Sequence, residues 1–163
     1  MILVTGGTGL LGSHLLFKLV SEGKNVRALK RKDSSTTLAE KVFSYYSEKS
    51  SELFSRIEWI TGDILDYYSL LEALEGVEFL YHAAAQVSFH SSDAQTVIST
   101  NVEGTANVVN AALEKKIRKL CFVSSIGALG RVDSGGIVDE VTNFNPNQKN
   151  SVYSTSKYEA ERE

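Results

Sequence analysis

The chain has 163 residues, 42% apolar and 23% charged, with 12 glycines against one proline, a composition that supports one globular core and excludes disorder or a fibrous repeat. Its formal charge of −3 gives no overall basic field, so nucleic acid is not an expected partner. No apolar run approaches the roughly 18 residues that span a bilayer and the chain opens on a strand, so the expectation is a soluble, untargeted, cytoplasmic protein without a membrane partner.

Residues 1–5 form a short apolar run that stops at a glycine cluster, and Leu11, Leu15, Leu16, Leu19 and Val20 then follow at helical spacing before Gly23. This predicts strand, glycine turn, helix. Residues 26–29 read as a second strand, 38–54 as a loosely amphipathic helical stretch, and 57–60 as a third strand. A short helix around Leu70, Leu71 and Leu74 closes at Gly76, and 77–81 make a fourth strand. The long helix 97–113 carries Val102, Ala106, Val109 and Leu113 on one face. Lys115, Lys116, Arg118 and Lys119 follow it and read as cations at a helix C-terminus. Residues 120–123 are a fifth strand, in which Cys121, the one cysteine, has core neighbours and no disulfide partner. Periodicity is lost from 126 to 150, a long loop, and a further helix starts at Ser151 and is still running at Glu163. Near-continuously apolar strands alternating with helices predict an α/β fold, a doubly wound parallel sheet covered on both faces.

The turn Gly6-Gly7-Thr8-Gly9-Leu10-Leu11-Gly12 lies between first strand and first helix, where glycines let a backbone approach a pyrophosphate and the helix end supplies N–H groups for that anion. A P-loop has the outer spacing of Gly7 and Gly12 but needs Lys next, and position 13 is Ser. A dinucleotide is therefore the expected ligand. After the second strand an acid would suit the ribose of NAD, whereas Lys30, Arg31 and Lys32 suit a 2′-phosphate, so the expected cofactor is NADP, with NAD the alternative.

Tyr153 and Lys157 stand four apart and share a helix face, so an ammonium can favour a phenolate and bring a Tyr proton into use near neutral pH. Tyr45 and Lys49 have the same spacing without any link to the glycine turn. Position decides between them, because ligands of a doubly wound sheet sit beyond the strand C-termini, where Ser124, Ser125, Tyr153 and Lys157 fall. His14, His82 and His90 have no metal-ligand spacing and read as structural or surface residues, and no metal is expected.

The motifs at 5–12 (Thr-Gly-Gly-Thr-Gly-Leu-Leu-Gly), 62–64 (Gly-Asp-Ile), 82–85 (His-Ala-Ala-Ala), 101–105 (Asn-Val-Glu-Gly-Thr), 123–125 (Val-Ser-Ser) and 153–157 (Tyr-Ser-Thr-Ser-Lys) stand in the order and rough spacing of the extended short-chain dehydrogenase/reductase superfamily, which the sequence resembles over nearly its whole length. The resemblance implies a Rossmann-type three-layer αβα domain over residues 1–163, truncated before the region that binds substrate. It implies Tyr153 as general acid/base, Lys157 as its partner and ribose ligand, Ser125 as hydrogen-bond partner of the reacting oxygen, and Asn101 beside the active site. It also implies a cofactor contact set of Gly6, Thr8, Gly9, Leu10, Leu11, Gly12, Lys30, Arg31, Asp63, Ile64, Ala83, Ala84 and Ala85. The strand Val-Arg-Ala-Leu-Lys-Arg and His-Ala-Ala-Ala-Gln-Val resemble the dihydroflavonol-reductase and hydroxysteroid-dehydrogenase branch. Leu129 departs from the Tyr many sugar-nucleotide members carry before Gly130. The implied activity is hydride transfer between nicotinamide and a carbonyl or secondary alcohol of a small molecule. Sugar-nucleotide epimerisation or dehydration is the second reading and a non-catalytic nucleotide sensor the third. An uncovered fifth strand would favour association of two copies, a homodimer.

Overall fold

The computed structural model describes residues 1–132 and 136–163; positions 133–135 of the expected long loop lie outside the described residues. The chain divides into two compact units, Met1–Ala84 with Asn107–Phe122, and Ala85–Ala106 with Val123–Glu163.

The first unit is built on a five-stranded parallel sheet. Its strands are β1 (Ile2–Thr5), β2 (Val26–Lys30), β3 (Ile57–Thr61), β4 (Phe79–His82) and β5 (Lys119–Phe122), in the order β3-β2-β1-β4-β5. The order reverses direction between β1 and β4, the switch point at which such sheets take ligands. Between strands run α1 (Leu10–Ser21), α2 (Thr37–Tyr46), α3 (Ser50–Phe54) and α4 (Tyr67–Ala73). Two apolar clusters form the core. Val4, Leu16, Leu19, Val20, Val26, Ala28, Phe43 and Ile57 make one. The other gathers Leu3, Leu29, Ile64, Leu70, Leu74 and Leu80 with Val108, Ala111 and Ala112. Successive residues of β1, Leu3 and Val4, go to different clusters, as the two-residue period of a strand covered on both faces requires.

Polar residues inside the strands have assigned work. Arg27 of β2 stands opposite Glu58 in the ladder, bonds it at 2.8 Å, and donates Nη1 to the carbonyls of Ala73 (2.7 Å) and Glu75 (2.8 Å), which the end of α4 would otherwise leave unpaired. At the start of α4, Asp66 accepts from the N–H groups of Tyr68 and Ser69 as N-cap.

Two expectations are corrected here. The helical stretch 38–54 is two helices, because Ser47 turns extended after α2 and its hydroxyl accepts from the Lys49 N–H. Cys121 is exposed: β5 pairs with β4 alone at the sheet edge, so the covering on both faces that a core cysteine needs is not met there. The cations expected at the C-terminus of the long helix follow it directly, with Lys115 bonded to Glu75 at 2.6 Å and Lys119 opening β5.

The second unit contains α5 (Ala94–Ile98), the π-helical turn (Ser99–Glu103) that continues it, and α7 (Val152–Glu161); α6 (Gly104–Glu114) follows the π turn and belongs from Asn107 onward to the first unit. Residues 97–113 were expected as one regular helix. The π turn adds a residue to one turn and places Asn101 in the interior, with Thr105 Oγ1 donating to the Asn101 carbonyl at 2.6 Å. Ser151, where the last helix was expected to begin, is the N-cap of α7 and accepts from Ser154 N–H at 3.0 Å.

Candidate active site

In the first unit the glycine turn is shaped by close backbone approach. Gly6 has φ +74°, and a Cβ there would lie 2.6 Å from the Ala83 carbonyl and the Ala84 nitrogen. A Cβ on Gly12 would collide with the Gly6 carbonyl and approach Gly7 Cα to 2.9 Å. Both positions therefore exclude any side chain. Gly9 is different. It has ordinary φ, −86°, as the N-cap of α1, makes no side-chain cap, and a Cβ on it would meet only the Gly6 carbonyl, at 3.3 Å. Its lack of a side chain leaves the start of α1 open to a ligand, alongside the exposed Leu10 and Leu11 and the half-buried Thr8.

The neighbouring strand end is locked to the turn. Thr5 Oγ1 and His82 Nδ1 lie 2.7 Å apart with both residues fully buried, and the Ala84 N–H donates to the same Thr5 oxygen at 3.3 Å. His82 thus has the structural role expected of it, while His14 bonds Tyr46 on the surface at 2.9 Å. Ala83 and Ala84 are half-buried and Ala85 is exposed. Lys30 is half-buried and Arg31 and Lys32 are exposed, and none of them enters an ion pair among the described residues. Asp63 turns its carboxylate to the Leu65 N–H at 3.0 Å, while its own N–H and carbonyl are both bonded to Ser69 Oγ. Ile64 has its side chain in the core and its carbonyl bonded to Asn107, at 3.1 Å.

In the second unit the catalytic candidates sit on α7 and on the short turn before it. Ser125 caps the turn Ile126–Ala128, its Oγ accepting from Gly127 N–H at 3.1 Å. That turn lies against the first turn of α7: a Cβ on Gly127 would be 3.2 Å from Ser154 Oγ. Lys157, 2% exposed, donates from Nζ to the Val123 carbonyl at 2.8 Å. Burial pulls its pKa down to about 8, against a smaller opposing pull from Glu161. Tyr153, one turn earlier, is half-buried, with the Phe89 ring edge-on to it at 5.9 Å between centroids. Ser124 Oγ is buried without a hydrogen-bond partner.

The side-chain amide of Asn101 is committed to hydrogen bonds within the second unit. Its Oδ1 accepts from the Gln86 N–H at 2.7 Å, and its Nδ2 donates to the Gln86 carbonyl and to Ser156 Oγ, both at 2.9 Å. Both protons of its amide group are therefore committed. Ser156, fully buried, passes the link on by donating to the Tyr153 carbonyl at 2.8 Å. Asn101 joins the 86 segment to α7. The sequence reading missed Ser156, Gln86 and Asp66; the signal for Ser156 was its place three residues after Tyr153, on the same helix face. Among the described residues no group of His, Cys, Asp and Glu could hold a metal ion, and no helix is long and apolar enough to cross a membrane.

A parallel sheet of order 3-2-1-4-5 with a glycine turn after its first strand defines the first unit as a dinucleotide-binding αβα fold. The chain matches the NAD dependent epimerase/dehydratase family over residues 2–163 and belongs to that family, a branch of the extended short-chain dehydrogenases/reductases. It is 33% identical over 161 residues to Sterol demethylase protein B of Methylococcus capsulatus, covering 99% of this chain and 45% of that protein. It is 31% identical over 160 residues to a putative dihydroflavonol 4-reductase of Synechocystis, covering 98% of this chain and 43% of that one. Among solved structures, DesIV, a dTDP-glucose 4,6-dehydratase of Streptomyces venezuelae crystallised with NAD, superposes with a TM-score of 0.80 at 26% identity, covering 99% of this chain and 49% of that chain. The chain spans less than half the length of these relatives. The family consists of NAD-dependent oxidoreductase and epimerase enzymes.

Proposed function

We propose that this chain is the cofactor-binding and catalytic portion of an NADP-dependent oxidoreductase acting on a carbonyl or secondary alcohol of a small molecule. The observation that carries the reading is α7, where Tyr153 and a buried Lys157 stand one turn apart on a helix fixed through Ser156. Residues present in the first unit fit a dinucleotide: a turn that a Cβ at Gly6 or Gly12 would fill, and a helix start at Gly9 free of a side-chain cap. The partnerless hydroxyl of Ser124 is a further group that a bound polar ligand would satisfy.

In this reading Gly9 and the first N–H groups of α1 would hold the pyrophosphate, and Lys30 and Arg31 would take the 2′-phosphate. Asp63 and Ile64 flank the adenine, the latter through its backbone because its side chain is in the core. When bound, NADP would supply or accept the hydride. Tyr153 gives its phenolic proton to the carbonyl oxygen in reduction and recovers it in oxidation, and Ser125 holds that oxygen. Lys157 keeps a positive charge near the phenol at neutral pH, since a pKa of about 8 leaves it mostly protonated there. The similarity to a putative dihydroflavonol 4-reductase and to Sterol demethylase protein B supports the reductase branch over epimerisation.

The test is a paired calorimetric titration of the chain with NADPH and NADH at one salt concentration, repeated with Lys30→Glu/Arg31→Glu. Tighter NADPH binding that the double variant abolishes is expected. Equal or NADH-favoured binding would move the assignment to the epimerase/dehydratase branch. In the whole protein Tyr153→Phe should cut turnover by about a hundredfold or more, as loss of a general acid/base does; unchanged turnover would remove Tyr153 from the chemistry.

A further inference from the structure

An exposed phenylalanine needs no explanation by itself, since isolated apolar side chains are common on protein surfaces. Phe89 differs because of how it is held and what it touches. It is 75% exposed, yet its ring meets the Tyr153 ring edge-on, centroids 5.9 Å apart and planes at 70°. The backbone on both sides of it is pinned. Before it, Gln86 is gripped at its N–H and carbonyl by Asn101. After it, Ser88 Oγ donates to Asp93 Oδ2 at 2.7 Å and accepts from His90 N–H at 3.2 Å, while Asp93 N–H bonds the His90 carbonyl at 3.1 Å. The Ser88 and Ser92 hydroxyls hold the Asp93 carboxyl below the usual carboxylate range, so this turn keeps its anion at neutral pH. A mostly solvent-facing ring is thus presented on a tied loop against one side of the candidate acid/base.

We infer that Phe89 is a specificity-determining residue that contacts the substrate beside Tyr153 and selects a ring-bearing apolar carbonyl or alcohol over a polar sugar. The inference rests on the reading of Tyr153 under Proposed function. The surroundings of Phe89 are polar on one side and apolar on the other: after Phe89 the exposed side chains are His90, Ser91 and Ser92, whereas Val87 before it and Ile126 after Ser125 are exposed and apolar. A pyranose set against such groups would give up hydrogen bonds to water without replacement, whereas an aromatic or alicyclic ring gains contact area and an edge-to-face partner.

The probe is 4-(dimethylamino)cinnamaldehyde, whose visible band reports binding directly and whose reduction bleaches it. Titration with the chain should shift the band, Phe89→Ala should weaken binding about three- to tenfold, and Phe89→Leu should fall between, the range expected for loss of one aromatic contact. The thermal midpoint of Phe89→Ala should match the unsubstituted chain, because most of the ring is already in water. In the whole protein Phe89→Ala should lower kcat/KM for the probe by the same factor and leave glycolaldehyde, a small polar aldehyde, within twofold, an allowance well under the effect sought. Absence of probe binding, or a Phe89→Ala effect that is nil or equal for the two aldehydes, overturns the inference. Tyr153→Phe separates the two claims: it should stop bleaching and preserve probe binding. Retained bleaching would sink the Tyr153 reading, and with it this one, even if the probe bound.

Discussion

The glycine turn of the first unit and the helix α7 of the second hold their shapes with different materials. Around residues 6–12 the structure depends on atoms that are not there, since a Cβ on Gly6 or Gly12 would strike backbone. Around α7 it depends on side chains added: Asn101 reaches Gln86 and Ser156, Ser156 reaches the Tyr153 carbonyl, and Lys157 reaches Val123. A site that must admit the backbone close to a phosphate gains from small residues, whereas a site that must orient one phenol gains from bonds that fix a helix. Substitutions should therefore fail by collision in the first unit and by orphaned polar groups in the second.

The sharpest test contrasts two glycines. Gly6→Ala should destabilise the chain by about 3 kcal/mol in urea unfolding, because φ +74° and a backbone collision act together, while Gly9→Ala should change stability by under about 1 kcal/mol and lose cofactor affinity. Equal stability of the two variants would break the comparison on the first side. Next in size, Asn101→Leu should cost about 2–3 kcal/mol, since it leaves both polar groups of Gln86 and the Ser156 hydroxyl without their partner. Faster hydrogen exchange at the Gln86 amide would locate the damage, and a stable variant with unchanged exchange would refute the positioning role.

The smallest effect is a slope. Burial lowers the pKa of Lys157 from 10.5 to about 8, so between those values the unfolded chain holds a proton that the folded chain has released. Unfolding takes up that proton, and this group's contribution makes the fold more stable as pH rises through the window. Below about pH 8 both states are charged and the burial cost is constant. Urea midpoints taken across the window should rise for the unsubstituted chain relative to Lys157→Met; parallel curves would contradict the lowered pKa.

The first unit was the more legible of the two. Its strands and α1 follow from apolar runs and helical spacing, and the glycine turn could be placed because it falls between them. The break after Tyr46 escaped, since a serine turn at Ser47 leaves the apolar pattern almost unaltered. Cys121 was misplaced for a related reason: Leu-Cys-Phe is an apolar string whether its strand lies inside the sheet or at the edge. Pattern reports which residues could be covered, and strand order determines which ones are.

The sequence by itself determined the alternation of strands and helices, the glycine turn, and the candidate set of Ser124, Ser125, Tyr153 and Lys157, because these depend on local spacing and residue type; the preference for Ser125 over Ser124 came from the family resemblance. Only the tertiary structure decided that Asn101 is a clamp, that Ser156 joins it to α7, and that the Phe89 ring meets Tyr153 edge-on. Each of those contacts joins residues far apart in the chain: 15 positions from Gln86 to Asn101 and 55 from Asn101 to Ser156. Hydrogen-bond direction and ring contact at such separations are set by how elements pack, and a π-helical turn that points one asparagine inward has no periodic signature in a helix that otherwise reads as regular.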